Sequence, residues 1–329
     1  MPTNLPPAYF AAEERFRTSQ VTEERVAALE EMYSLVPKHK GTEKLRADLK
    51  RRLSELRSAP AGRKGGPSRQ VSVYQIEREG AGQVAVIGPP NTGKSAFVRA
   101  VTNATPEVAP YPFTTWSPTP GMMMVKKVQI QLIDTPPLNE EYVDPDFLAL
   151  VRRSDIVLLM VDLQAYPLEQ IEKAIALLEE QHIAPRHRRE QYAEQFRWAF
   201  VPFIIAVNKV DDAWMDEDFE VLRELLGEAW TLVPVSVETG RNVELLQETL
   251  YDALGIIRVY SKRPGKEPDL DAPFVLKVGG TVEEFAGKIH RDFLETLESA
   301  RVWGTGVYDG QMVGRDHVLH DGDVVELRA

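Results

Sequence analysis

Gly88-Pro89-Pro90-Asn91-Thr92-Gly93-Lys94-Ser95 follows directly on the apolar run Val84-Ala85-Val86-Ile87, and the pair sets the architecture. A continuous apolar run of this length reads as a buried strand, and G-x-x-x-x-G-K-S at its carboxyl end is a phosphate-binding loop. Gly88 and Gly93 let the backbone curl so that successive N–H groups face a phosphate chain. A helix starting near Lys94 adds its positive end. Lys94 would reach the β and γ phosphates, and the Ser95 hydroxyl would hold Mg²⁺. The plain alternative is a Gly/Pro-rich turn that happens to precede a helix.

Asn208-Lys209-Val210-Asp211 closes a second apolar run, Phe203-Ile204-Ile205-Ala206-Val207, and N-K-x-D is the guanine-reading pattern of GTPases. A carboxylate at Asp211 accepts from the N1–H and the exocyclic amine of guanine. Adenine lacks that donor pair and would leave the acid poorly paired. Asn208 is expected to tie the base loop to the phosphate loop, and the Lys209 stem to lie over the ring. Asp211 and Asp212 also precede a helical stretch, so an N-cap is the competing reading. The two motifs together specify a guanine-nucleotide domain.

Between them lies Asp134-Thr135-Pro136-Pro137-Leu138, where GTPases carry D-x-x-G. Asp134 would hold Mg²⁺ through a water. Position 137 departs from the pattern, because proline has no N–H to give the γ-phosphate. That loss is on the order of 1.5–3 kcal/mol, enough to blunt GTP/GDP discrimination by about tenfold. Leu138 stands where many GTPases have a water-orienting Gln, so intrinsic hydrolysis is expected to be slow. Tyr111-Pro112-Phe113-Thr114-Thr115-Trp116 offers the switch threonine, Thr115 ahead of Thr114. Plain β-branched strand propensity is the alternative for that pair.

The chain has 329 residues, no cysteine and a net charge of −11, which excludes a disulfide framework, a thiol nucleophile and a Cys-type zinc site. Residues 38–69 hold eleven Lys/Arg against Glu43, Asp48 and Glu55, a local +8 that leaves −19 on the remainder. An acidic body repels nucleic acid, so RNA contact is expected through 38–69, although a solvated helix face also explains such a run. The first residues lack a signal-peptide pattern and no apolar run suffices to span a bilayer, so a cytoplasmic protein without membrane contact is expected.

Apolar residues at helical spacing, Val26, Leu29, Met32 and Val36, then Leu45, Leu49, Leu53 and Leu56, predict a helical hairpin followed by a Gly/Pro-rich linker at 58–70. Residues 80–257 alternate strands (83–88, 121–126, 128–134, 156–161, 203–208, 232–236) with helices, the pattern of an α/β doubly wound sheet. Arg258 to Ala272 reads as a Pro/charge-rich junction. Beyond it, 273–329 predict a small α+β module with no catalytic cluster. The domain boundaries are therefore 1–70, 80–257 and 272–329. His290, His317 and His320 show no metal-ligand spacing and fit surface or packing roles.

Pro89-Pro90-Asn91-Thr92-Gly93-Lys94-Ser95, Tyr111-Pro112-Phe113-Thr114-Thr115 and the C-terminal module resemble the Obg superfamily, most of all its developmentally regulated GTP-binding protein (DRG) branch. Pro273-Phe274-Val275-Leu276-Lys277 and Asp316 to Val325 resemble a TGS domain, a β-grasp fold, and the segment around Lys38-His39-Lys40-Gly41-Thr42 resembles the branch's N-terminal helical region. A hydrophobic residue at 138 is usual in the superfamily. The branch also inserts a small α/β domain before the strand of Asn208. Here that interval holds mainly a helix, Leu168 to Gln181, and the basic patch Arg186-His187-Arg188-Arg189, so this looks like a compact relative.

The resemblance implies a Mg²⁺-dependent P-loop GTPase of slow intrinsic rate, acting on the ribosome or translation. It implies nucleotide contacts from Gly88, Pro89, Pro90, Asn91, Thr92, Gly93, Lys94, Ser95, Ala96, Asp134, Asn208, Lys209 and Asp211. Backbone N–H groups near Ser236-Val237 would face the guanine carbonyl, in the place of the family's S-A loop. Ser95, Thr115 and Asp134 are the metal set; Lys94, Asn91 and Thr115 are the catalytic set. In potassium-activated relatives an Asn at position 91 coordinates K⁺, whereas a simple turn role is equally consistent with asparagine. The implied partners are GTP/GDP, RNA or ribosome through 38–69, and a protein through the TGS-like module. The competing reading is a non-hydrolysing guanine-nucleotide adaptor.

Overall fold

The computed structural model describes Tyr74 and residues 76–102, 118–138, 144–192 and 197–328, with the single positions Tyr9, Ala28, Met32, Val36 and Leu49. The chain divides into two compact units, Met1–Val71 and Ser72–Ala329. In the first unit all five described residues are buried, including Met32, Val36 and Leu49 from the apolar stripes. The rest of the expected hairpin, the linker and nearly all of the basic segment lie outside the described residues, as do Thr114 and Thr115.

The second unit opens with a six-stranded sheet. Its strands are β1 (Gln83–Ile87), β2 (Thr119–Val125), β3 (Val128–Asp134), β4 (Ile156–Asp162), β7 (Phe203–Asn208) and β8 (Thr231–Pro234), in the order β2-β3-β1-β4-β7-β8. All neighbours are parallel except β2, which pairs antiparallel with β3 at the edge. β1 and β4 are buried along their whole length, as central parallel strands covered on both faces must be.

Strand alternation sends Ala85, Ile87, Val157 and Leu159 to one face and Val84, Val86, Ile156 and Leu158 to the other. The first face is covered by α2 (Pro145–Arg153), α3 (Pro167–Glu180) and α4 (Asp216–Leu226). The second is covered by α1 (Lys94–Val101) and α5 (Val243–Ala253). Strand carboxyl ends thus converge where β1 meets α1 and β7 ends, the crevice that binds ligands in doubly wound sheets.

A short parallel pair, β5 (Ile183–Pro185) and β6 (Ala199–Val201), fills the interval before β7, with a 3₁₀ turn at Arg186–Tyr192 between them. The C-terminal domain is built on a second, five-stranded sheet with two helices. It comprises β9 (Ile256–Ser261), β10 (Phe274–Lys277), α6 (Val282–Ile289), α7 (Arg291–Thr296), β11 (Ser299–Trp303), β12 (Gln311–Val313) and β13 (Asp323–Arg328). Val282, Phe285 and Ala286 of α6 pack into its core.

The first residues of the expected junction at 258–272 are therefore strand. Ile256, Ile257, Val259 and Tyr260 are buried in β9, which pairs parallel with the last strand, β13. Ile256 also packs with the GTPase-side core, and Val275 leans on it. Lys127 at the β2–β3 turn pairs with Asp271 at 2.7 Å, so the two domains meet along the edge strand of the large sheet. No helix among the described residues is long and apolar enough to cross a membrane.

Candidate functional site

The loop leaving β1 depends on two glycines. Gly88 has φ 144°, and a Cβ there would stand 2.2 Å from the Met160 carbonyl oxygen of β4. Gly93 has φ 94°, and its Cβ would stand 2.3 Å from Asn208 Nδ2. Both positions require the missing side chain twice over, for backbone angle and for space. Asn91 takes φ 62° at the exposed tip, a left-handed conformation that asparagine tolerates. Thr92 Oγ1 donates to the Pro89 carbonyl at 3.1 Å and closes the turn.

α1 begins without a side-chain N-cap. Phe97 is the first N–H to bond within it, to the Gly93 carbonyl at 2.9 Å, so Lys94, Ser95 and Ala96 present N–H groups to an anion. Lys94 is buried, and its Nζ donates to the loop carbonyls of Gly88 at 2.9 Å and Pro89 at 2.7 Å. Burial brings its ammonium down to about 8, against the pull of the Asp134 carboxylate. Burial raises the Asp134 carboxyl, opposed by a hydrogen bond from Ser95 and by the charges of Lys94 and Arg99. Asp134 Oδ1 is buried with no hydrogen-bond partner among the described residues. A buried carboxylate oxygen left open beside a serine hydroxyl suits a hard, oxygen-seeking divalent cation such as Mg²⁺.

After Asp134, Thr135 Oγ1 donates to the Val86 carbonyl at 2.8 Å. Pro136 and Pro137 offer no N–H. The next one, on Leu138, donates to the Gly88 carbonyl at 3.1 Å, so this segment is tied to the phosphate loop itself. The Leu138 side chain packs toward the α3 side of the core and lines a hollow of about 280 Å³ with Pro89, Pro90, Ala174 and Leu177.

On the base side, Asn208 Nδ2 donates to the Thr92 carbonyl at 2.8 Å, and its Oδ1 accepts from the Val237 N–H at 3.1 Å. One buried amide thus joins three loops. Asp211 Oδ1 accepts from the Ser236 hydroxyl at 2.6 Å, which orients the acid. Arg241 grips the Asp216 carboxylate through both oxygens, at 2.8 and 2.7 Å, and donates to the Asp212 carbonyl at 3.0 Å. Arg241 was not expected from the sequence. It carries no motif, and only the fold brings it beside the N-K-x-D loop.

Lys209 and the Ser236–Val237 turn, both expected at the base, also make contacts within the protein. Lys209, at φ 67°, sends its Nζ to an ion pair with Asp162 at the end of β4, and that carboxylate holds the ammonium end of the stem. The Ser236 and Val237 N–H groups are already spent, on the Arg241 carbonyl at 3.0 Å and on Asn208 Oδ1. Thr239 N–H bonds Ser236 Oγ at 3.1 Å. The Glu238 N–H is the one in this turn without a partner among the described residues.

Residues 83–209 match the family model described as 50S ribosome-binding GTPase, and residues 257–329 match the TGS domain. A GTP-binding protein of Methanocaldococcus jannaschii is 30% identical, over 93% of this chain and 92% of its own. Developmentally-regulated G-protein 2 of Arabidopsis thaliana is 27% identical over 92% of this chain and 90% of its own. Developmentally-regulated GTP-binding protein 2 of Homo sapiens is 24% identical over 92% and 98%. Among solved structures, a GTP-binding protein from Pyrococcus horikoshii superposes with a TM-score of 0.53 at 17% identity, covering 75% of this chain and 99% of that one. The Schizosaccharomyces pombe YchF GTPase does so with 0.53 at 15%, covering 77% and 99%; these two speak to the fold. With a phosphate loop and a guanine-reading loop locked together ahead of a TGS domain, the chain belongs to the DRG branch of the Obg-type GTP-binding proteins.

Proposed function

We propose that this GTP-binding protein hydrolyses GTP to GDP and phosphate, slowly when alone, and that it works on the ribosome. The observation carrying the hydrolytic reading is the Lys94–Ser95–Asp134 group, in which Lys94 is buried, Ser95 and Asp134 are half-buried, and one buried Asp134 carboxylate oxygen has no partner among the described residues. Ser95, and Asp134 through a water, would hold Mg²⁺, and Thr115, outside the described residues, would complete the set. Bound Mg²⁺ offsets negative charge on the phosphates.

The chain's own contribution is positional. N–H groups of the α1 first turn and the Lys94 ammonium hold the phosphates, and the ammonium stabilises charge as water attacks the γ-phosphorus. Asp211, oriented by Ser236, selects guanine, with the Glu238 N–H toward its carbonyl. Leu138 offers no polar group to the attacking water, which fits a slow rate. Asn91 at the loop tip is the candidate K⁺ ligand, and its φ of 62° also suits a purely conformational role. Ribosome contact is the reading supported by the family model's description and by the basic stretch 38–69.

The second reading, an adaptor that binds without hydrolysing, is favoured by Pro137. Asp211→Asn tests base selection and turnover together. An amide in place of the acid presents a donor, which suits the C2 carbonyl of xanthine and not the amine of guanine. The variant should hydrolyse XTP in place of GTP. Unchanged GTP use by the variant contradicts the assignment.

A further inference from the structure

The interval between β4 and β7 carries a surface that nucleotide binding does not use. Ile183 and Val201 of the β5–β6 pair are buried in the core beneath. Tyr192, Trp198 and Phe200 are each half-buried, and their rings form a nearly parallel series. Tyr192 and Trp198 stack at 3.8 Å and 17°, and Trp198 and Phe200 lie at 6.4 Å and 16°. Trp198 and Phe200 are two residues apart, so they leave the same side of the strand.

Cations frame this aromatic row. Arg189 lies over the Phe200 ring at 5.9 Å. Arg188 covers Trp230 at 5.3 Å and pairs with Glu179 at 2.8 Å. Arg186, Arg189 and Arg197 are exposed, and none has an ion-pair partner among the described residues. Residues 179–200 carry Arg186, Arg188, Arg189 and Arg197 against Glu179, Glu180, Glu190 and Glu194, so on a chain of net charge −11 the stretch is locally neutral and repels a phosphate backbone less than the acidic body does.

We propose that this insertion binds a short unpaired stretch of RNA, bases stacking on the Tyr192–Trp198–Phe200 row and phosphates meeting Arg186, Arg189 and Arg197. Planar aromatic faces with arginines are the chemistry that recognises single strands, because an unpaired base offers a free π-face and a duplex does not. An acidic peptide would satisfy the arginines and leave the rings unused. The choice of RNA rests on the proposed ribosomal role. The platform shares no residue with the nucleotide site or with residues 38–69, so each can fail alone.

The test is fluorescence anisotropy of the full-length chain with a labelled ~12-nucleotide single-stranded pyrimidine RNA, titrated in KCl from about 50 to about 200 mM. Arg186→Glu/Arg189→Glu/Arg197→Glu should weaken binding at least tenfold and flatten the salt dependence by about 2 in log–log slope, at roughly 0.7 per phosphate contact. Phe200→Leu should weaken it about fivefold or more with the salt slope kept. GTP binding should be unchanged in both. The proposal is overturned if the charge-reversed variant binds RNA like the parent while Arg51→Glu/Arg52→Glu/Arg57→Glu abolishes binding. It is equally overturned if the parent binds no single-stranded RNA, or if a duplex or polyglutamate binds as tightly. Turnover of GTP by the same preparations reports on the GTPase reading separately.

Discussion

Asn208 Nδ2 donates to the Thr92 carbonyl oxygen at 2.8 Å across 116 positions of sequence, so the N-K-x-D loop braces the G-x-x-x-x-G-K-S loop. The same amide accepts from Val237, and it lies where any side chain at Gly93 would intrude. The two loops are therefore one mechanical unit.

Removing that amide should damage both ends of the site. Asn208→Ala leaves the Thr92 carbonyl and the Val237 N–H without their partner, at about 1–3 kcal/mol each for buried groups. Affinity for GTP and for GDP should fall together, by more than tenfold, with a lowered melting temperature for the nucleotide-free protein. Isothermal titration with both nucleotides checks this. A loss confined to GTP would place Asn208 with the γ-phosphate instead.

Nucleotide affinity should depend on alkaline pH through Lys94. Burial holds its free-state value at about 8, and bound phosphates raise it by adding negative charge. Below about pH 8 the ammonium is already charged and affinity is flat. Above it, binding must take up a proton, and affinity falls by up to about tenfold per unit. Titrations in buffers of differing ionisation enthalpy would reveal that uptake. No proton uptake near pH 9 would contradict the buried-lysine description.

Pro137 makes switching testable by a single exchange. Pro137→Gly restores an N–H at the place where GTPases contact the γ-phosphate, and it should raise the GTP/GDP affinity ratio by about tenfold. An unchanged ratio would mean that the Leu138–Gly88 bond at 3.1 Å, rather than the missing donor, fixes this segment.

Phe285→Ala probes the C-terminal domain by itself. Phe285 is fully buried and packs edge-on against Phe274 at 5.4 Å. Its truncation should cost that domain about 3–5 kcal/mol. GTP affinity should stay within about twofold, since changes at distant, independent sites leave one another nearly untouched. Calorimetry with a parallel nucleotide titration separates the two effects.

Much of this was legible in the sequence because each motif is local. The phosphate loop, N-K-x-D and the central strands are contiguous runs whose chemistry and periodicity stand in one stretch of chain. β9 was hidden because Arg258, Lys262 and Arg263 gave its run the look of a linker. Its partners are β10 and the distant β13, and parallel pairing over sixty-odd residues leaves no local mark. Arg241, the spent N–H groups of Ser236 and Val237, and the Lys209–Asp162 pair escaped for the same reason: each is a tertiary contact between loops. The aromatic row at Tyr192, Trp198 and Phe200 likewise exists only once β6 fixes the spacing of its rings.

The most direct measurement is phosphate release from GTP by the full-length chain in Mg²⁺, in matched KCl and NaCl, with Lys94→Ala as the blank. Slow turnover above that blank is predicted, and a higher rate in KCl would support Asn91 as part of a cation site. Tight GTP binding with no release above the blank in either salt would contradict hydrolysis and leave the adaptor.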